Sequence, residues 1–138
     1  MPKEKEKENE RIDADVIIVT EPIQIESGKH TGTITNVVRN LPNPDEGRTF
    51  DYLDIFIKVS DHPKEPEIRA GFPTNISELS SLGRLLKKAG MDFSEGDEIT
   101  ISDIKSLLFN KNINFLTKTD KTEQGEFAKV LRDTIEFE

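Results

Sequence analysis

The chain has 138 residues, 33% of them hydrophobic and 33% charged, with a formal net charge of −8 and no cysteine. One domain of this length can bury a core without staples, and the missing cysteines exclude disulfide scaffolds, zinc–thiolate sites, iron–sulfur clusters and thiol catalysis. No apolar run approaches the roughly 20 residues of a membrane span, and Met1 to Glu8 is charged with no apolar h-region, so the expectation is a cytoplasmic protein with no signal peptide and no membrane partner.

Met1 to Glu10 alternates Lys and Glu, with no hydrophobic residue after Met1. Nothing there can pack, so residues 1–15 read as a disordered charged arm and residues 16–138 as a single domain. Val16 to Val19 is a β-branched run that reads as a strand. Pro22 breaks it, and Ile23 and Ile25 continue as an extended edge. Lys29 to Arg39 is the first long strand, with Thr31, Thr33, Thr35 and Val37 on one side, Ile34 and Val38 on the other, and a bend or bulge expected at Gly32. Leu41 to Gly47 is a loop, holding two prolines, Asn and Gly. Tyr52 to Val59 alternates strictly: Leu53, Ile55, Ile57 and Val59 against Tyr52, Asp54, Phe56 and Lys58. After a turn at Asp61 to Pro66, Ile68, Ala70 and Phe72 mark a third strand that stops at Pro73.

A helix follows, with Ser77 as its expected N-cap and Leu79, Leu82, Leu85, Leu86 and Ala89 as its apolar stripe. Lys87 and Lys88 suit its C-terminal dipole, and Gly90 suits the position after its end. Ser102 caps a second short helix through Ile104, Leu107 and Leu108. Ile113, Phe115 and Thr117 form a fourth strand, Thr119 to Gly125 a polar turn, and Phe127 to Ile135 a fifth strand. Phe72, Phe109 and Phe115 are read as core, and Phe93 as packing behind the first helix. The fold class is therefore mainly β: a five-stranded OB-fold β-barrel with a helix between strands 3 and 4 and a second short helix. The rival topology is an open α+β sheet with one helix.

Chemistry is sparse. His30 and His62 lie in different segments and show no metal-ligand spacing. No nucleophile elbow, Walker loop or dinucleotide fingerprint is present. Asp51 and Asp54 would face opposite sides of a strand, so they do not pair as catalytic or metal carboxylates. The expectation is a non-enzyme without cofactor or metal.

A binding surface is more legible. With the aliphatic face of Tyr52 to Val59 committed to the core, Tyr52 and Phe56 share the outer face beside Lys58. Aromatics in that position stack bases, and cations track phosphates. Arg69 falls on the neighbouring strand's outer face, Arg48 closes the first loop, Lys118 and Lys121 border the last, and Arg39 and Lys129 extend the stripe. Phe127 is either core or stacking platform. The competing reading packs Tyr52 and Phe56 beneath Val16 to Ile25 or against the second helix, and the acidic net charge opposes a polyanion ligand.

Three stretches, Tyr52-Leu53-Asp54-Ile55-Phe56-Ile57, Ser81-Leu82-Gly83-Arg84-Leu85-Leu86 and Gly125-Glu126-Phe127-Ala128-Lys129-Val130, resemble small phage- and archaea-type OB-fold proteins that bind single-stranded DNA. The resemblance implies a replication or recombination setting, with single-stranded DNA, or RNA in its place, across the barrel. The acidic tail Asp133 to Glu138 also resembles the Phe-bearing tails by which such proteins recruit replication or recombination partners. The alternative is an OB-fold adaptor that binds proteins and not nucleic acid.

Overall fold

The computed structural model describes residues 16, 17, 19, 24–123 and 125–138, so the expected arm at 1–15 and the extended edge around Pro22 and Ile23 lie outside the described residues. Val16, Ile17 and Val19 are exposed and belong to no strand, against the strand expected there. The chain then runs β1 (Gly28–Asn40), β2 (Tyr52–Val59), β3 (Glu67–Pro73), α1 (Ser81–Lys88), α2 (Ile101–Leu108), β4 (Asn112–Thr122), β5 (Gly125–Val130) and β6 (Glu136–Phe137). All strands pair antiparallel in the order β3-β2-β1-β4-β5, with β6 added to β4. The result is a mainly β protein with a six-stranded antiparallel sheet and two helices. Among the described residues no hydrogen-bonded ladder joins β3 to β5, so the sheet stays open along that seam.

The core lies on one face of this sheet, under the two helices. Leu53, Ile55, Ile57 and Val59 of β2 are fully buried, as period-2 alternation requires. They meet Ile34 and Val37 of β1, Phe72 of β3, Ile113 and Phe115 of β4, and Leu82, Leu85, Leu86, Ile104 and Leu108 of the helices. Each such side chain contributes roughly 1.5–3 kcal/mol.

Ile34 and Val37, three residues apart, both point inward. The register of β1 on β2 passes from Ile34↔Ile57 to Asn36↔Phe56, so an extra residue sits at Thr35. This bulge reverses the alternation, and the Asn36 side chain accepts from the Val37 amide at 2.8 Å. Gly32, where a bend or bulge was expected, is needed for a different reason. A Cβ there would come 2.6 Å from Ile57 Cγ2 and 2.7 Å from the Lys58 carbonyl oxygen.

The helix starts also differ from expectation. Ser80, not Ser77, caps α1, accepting from the Gly83 amide at 3.0 Å. Leu79 is thereby left outside the helix. Gly83 has no room for a side chain because a Cβ would strike the Ser77 carbonyl. Thr100, not Ser102, caps α2, and Asp103 returns a bond to the Thr100 amide at 3.2 Å, completing a capping box. Phe109, read as core from the sequence, instead follows α2 and is 60% exposed, while its neighbour Leu108 is fully buried. Beyond the helices, β4 runs through the expected polar turn to Thr122. The fifth strand ends early at Val130, and a 3-10 turn, Arg132–Thr134, then sends Ile135 into the core.

Candidate functional site

The ten side chains marked by the sequence separate into groups. On β2, Tyr52 and Phe56 are half-buried and Lys58 is exposed. Phe56 sits directly opposite Arg69 of β3, and it is absent from the apolar residues packed on the core. Asp54, between the two aromatics on that face, is buried. Its side chain is only 7% exposed; it accepts from Asn40 Nδ2 at 2.9 Å and lies 3.7 Å from Arg69. A buried carboxylate needs such partners. Gly71 lies opposite Asp54, and a Cβ there would sit 3.5 Å from the Asp54 carboxylate.

On the other edge, Thr117 and Val130 form a buried pair, so the next pair, Lys118 and Lys129, faces outward. The two lysines lie directly across from each other. Phe127, two pairs further along on the same face and opposite Asp120, is 52% exposed. It is therefore a surface aromatic and not core. The seam between β3 and β5 is a cleft of about 450 Å³ lined by Arg69, Gly71, Asp120, Phe127, Lys129 and Arg132 among others. Arg132 reaches across it and donates to the Gly71 carbonyl at 3.0 Å. A second hollow of about 430 Å³ continues past Phe127 to Ile68 and to residues 24–27.

The fold thus gathers Arg69, Phe127 and Lys129 into one cleft, with Phe56 beside Arg69 and Lys118 beside Lys129. Arg39 and Arg48 are already engaged. Arg39 forks onto Asp51 at 3.0 and 2.5 Å, a hydrogen bond that holds the Asp51 carboxyl below the usual carboxylate range and raises the guanidinium. Arg48 pairs with Glu46 at 2.6 Å within its own loop. Lys121 lies on the opposite side of β4 from Lys118, three residues on. By contrast, Lys58, Lys118 and Lys129 form no ion pair among the described residues. Like charges directly across a ladder destabilise it, and Lys118 and Lys129 are so placed.

Two residues escaped the sequence reading. Arg132 is not among the candidates that the sequence marks, although it lines the cleft. Phe50, two residues before Tyr52, is 76% exposed; its same-parity spacing with Tyr52 and Phe56 was the available signal.

The remaining chemistry is structural. His30 lies within β1, mostly buried, 3.2 Å from Asp61 and 2.6 Å from the Glu26 carbonyl oxygen. His62 bonds the Gln24 carbonyl at 3.0 Å. Together they fasten the lead-in to the sheet. The C-terminal residues also pack down, with β6 on β4, Asp133 on Arg84 at 2.7 Å and Glu136 on Lys88 at 2.6 Å. No helix among the described residues is long and apolar enough to cross a membrane. Comparison with protein-family models and with curated proteins finds no match.

Proposed function

We propose that this chain is a non-catalytic single-stranded DNA-binding protein built on an OB-type barrel, with RNA as an alternative strand. The strand order β3-β2-β1-β4-β5, with both helices between β3 and β4, supports this reading: a β3–β5 pair would close such a sheet into an OB-type barrel. The observation that carries the reading is the β3–β5 cleft, where exposed Phe127 stands among Arg69, Lys129 and Arg132.

In this reading a base stacks on Phe127 and a neighbouring base on Phe56 or Tyr52, each stack contributing about 1–3 kcal/mol. Lys129 and Lys118 meet phosphate together, which relieves their mutual repulsion. Arg69 is divided between Asp54 and the strand. Because the chain as a whole is acidic, attraction is confined to this stripe, and salt screens it over about 10 Å at 0.1 M. Duplex DNA would be a poor ligand, since its bases are not free to stack.

Hydrogen exchange on adding oligo-dT tests the location. Protection in 52–59, 67–73 and 125–130 supports the cleft. Protection confined to the helices, or none at saturating DNA, sinks it and leaves the protein-binding adaptor as the reading to pursue.

A further inference from the structure

A hollow of about 910 Å³ lies apart from the cleft and shares no residue with it. It lies between the segment after β3 and the segment that precedes α2. Its floor is apolar, with Ile76, Phe93 and Ile99 seated on the core. Leu79 stands at its edge, 85% exposed. Glu78, Glu95 and Asp97 line it, and no Lys or Arg does. Nucleic acid would be repelled from such a wall.

Both walls are held in place. Ser77 and Ser80 bond each other's amides at 2.9 and 3.1 Å, and Asp97 accepts from the Ser94 amide at 2.7 Å while its own amide returns to the Ser94 carbonyl. A groove fixed in advance loses little freedom when filled. The protein also shows what suits its rim. Lys87 of α1 places its ammonium 3.6 Å from Glu78 Oε1 and 4.8 Å from the centre of the Phe93 ring. A cation between a carboxylate and an aromatic face is favourable, and only the rim nearest α1 is served by it.

We infer that this groove docks a short cationic segment of a protein partner, one that sets an apolar side chain beside Leu79 and Phe93 and Lys or Arg against Glu95, away from the Glu78 that Lys87 already serves. Charge complementarity selects this occupant. A second copy of the chain, itself at −8, would bring net repulsion, whereas a basic segment is attracted and steered. The inference does not rest on the DNA reading.

The test uses a labelled synthetic peptide of repeated Lys-Lys-Leu triplets, with Glu-Glu-Leu and Lys-Lys-Ser peptides as controls, on the full chain. The Lys-Lys-Leu peptide should move amide resonances at 74–80 and 93–99, and both controls should bind at least about tenfold more weakly. Leu79→Ser and Glu95→Lys, both at exposed positions, should each weaken binding about tenfold. Glu138→Lys, the same charge change elsewhere, should leave it within about twofold. Equal losses from Glu95→Lys and Glu138→Lys, shifts spread over the whole acidic surface, or no binding would each overturn the inference. So would self-association that Leu79→Ser abolishes in the absence of peptide, which would assign the groove to a second copy.

Discussion

Phe127→Ala separates a binding aromatic from a structural one. Full burial of a Phe side chain contributes up to about 3 kcal/mol, and truncating a core Phe costs about 3–5 kcal/mol. Phe127 is half exposed, so its loss should cost stability only about 1 kcal/mol, a fall of a few degrees in Tm. If a base stacks on it, the same change removes about 1–3 kcal/mol of binding, which is roughly a 5- to 150-fold rise in Kd for oligo-dT. Urea denaturation and fluorescence anisotropy on the same preparation give both numbers. Phe109→Ala is the matched control: it is also exposed, at 60%, but it lies beside Asn36 and Lys105, away from the cleft. It should leave Kd unchanged. A core-sized loss of stability with Kd within about twofold of the parent would refute the placement of the strand, as would equal weakening by Phe109→Ala.

Three further outcomes follow from the packing. Gly32→Ala forces a methyl into Ile57 and the Lys58 carbonyl and should destabilise by about 1–3 kcal/mol, read as a lower urea midpoint with unchanged slope. Thr100→Ala removes one half of the capping box of α2 and should cost about 0.5–2 kcal/mol; Thr100→Ser should recover most of it. Asp51, bonded to Arg39, holds its proton less tightly in the fold than in the unfolded chain. Its contribution is therefore present above the unfolded carboxylate range near pH 4 and is lost as pH falls through the lower folded value. Asp51→Asn should flatten that acid limb of the stability curve, and an unchanged limb would contradict the assignment.

Much of the fold was legible because β2 alternates without a register shift against β3 and puts every aliphatic side chain on one face, although Asp54 on the other face is buried as well. The β1 strand was not, because the extra residue at Thr35 reverses parity halfway along and no sequence periodicity marks the switch. The cap of α2 could have been found, since Asp103 lies three residues after Thr100 in the capping-box spacing, but Ser102 stood nearer the apolar stripe. At the site, Phe56 and Arg69 were legible as neighbours on adjoining strands. The meeting of Arg69 with Phe127, Lys129 and Arg132 was not, because the seam joins segments far apart in the chain. Arg39 and Arg48 were marked as basic, yet their charges are committed to Asp51 and Glu46, a pairing that only the folded loop brings about.

Anisotropy of labelled oligo-dT, titrated at low and moderate salt beside a matched duplex, bears on the central claim most directly. The account predicts binding to the single strand and not the duplex. With Arg69, Lys118, Lys129 and Arg132 as the phosphate contacts, the log–log salt slope should be about −3. No binding at low salt, or equal binding of the duplex, would contradict it.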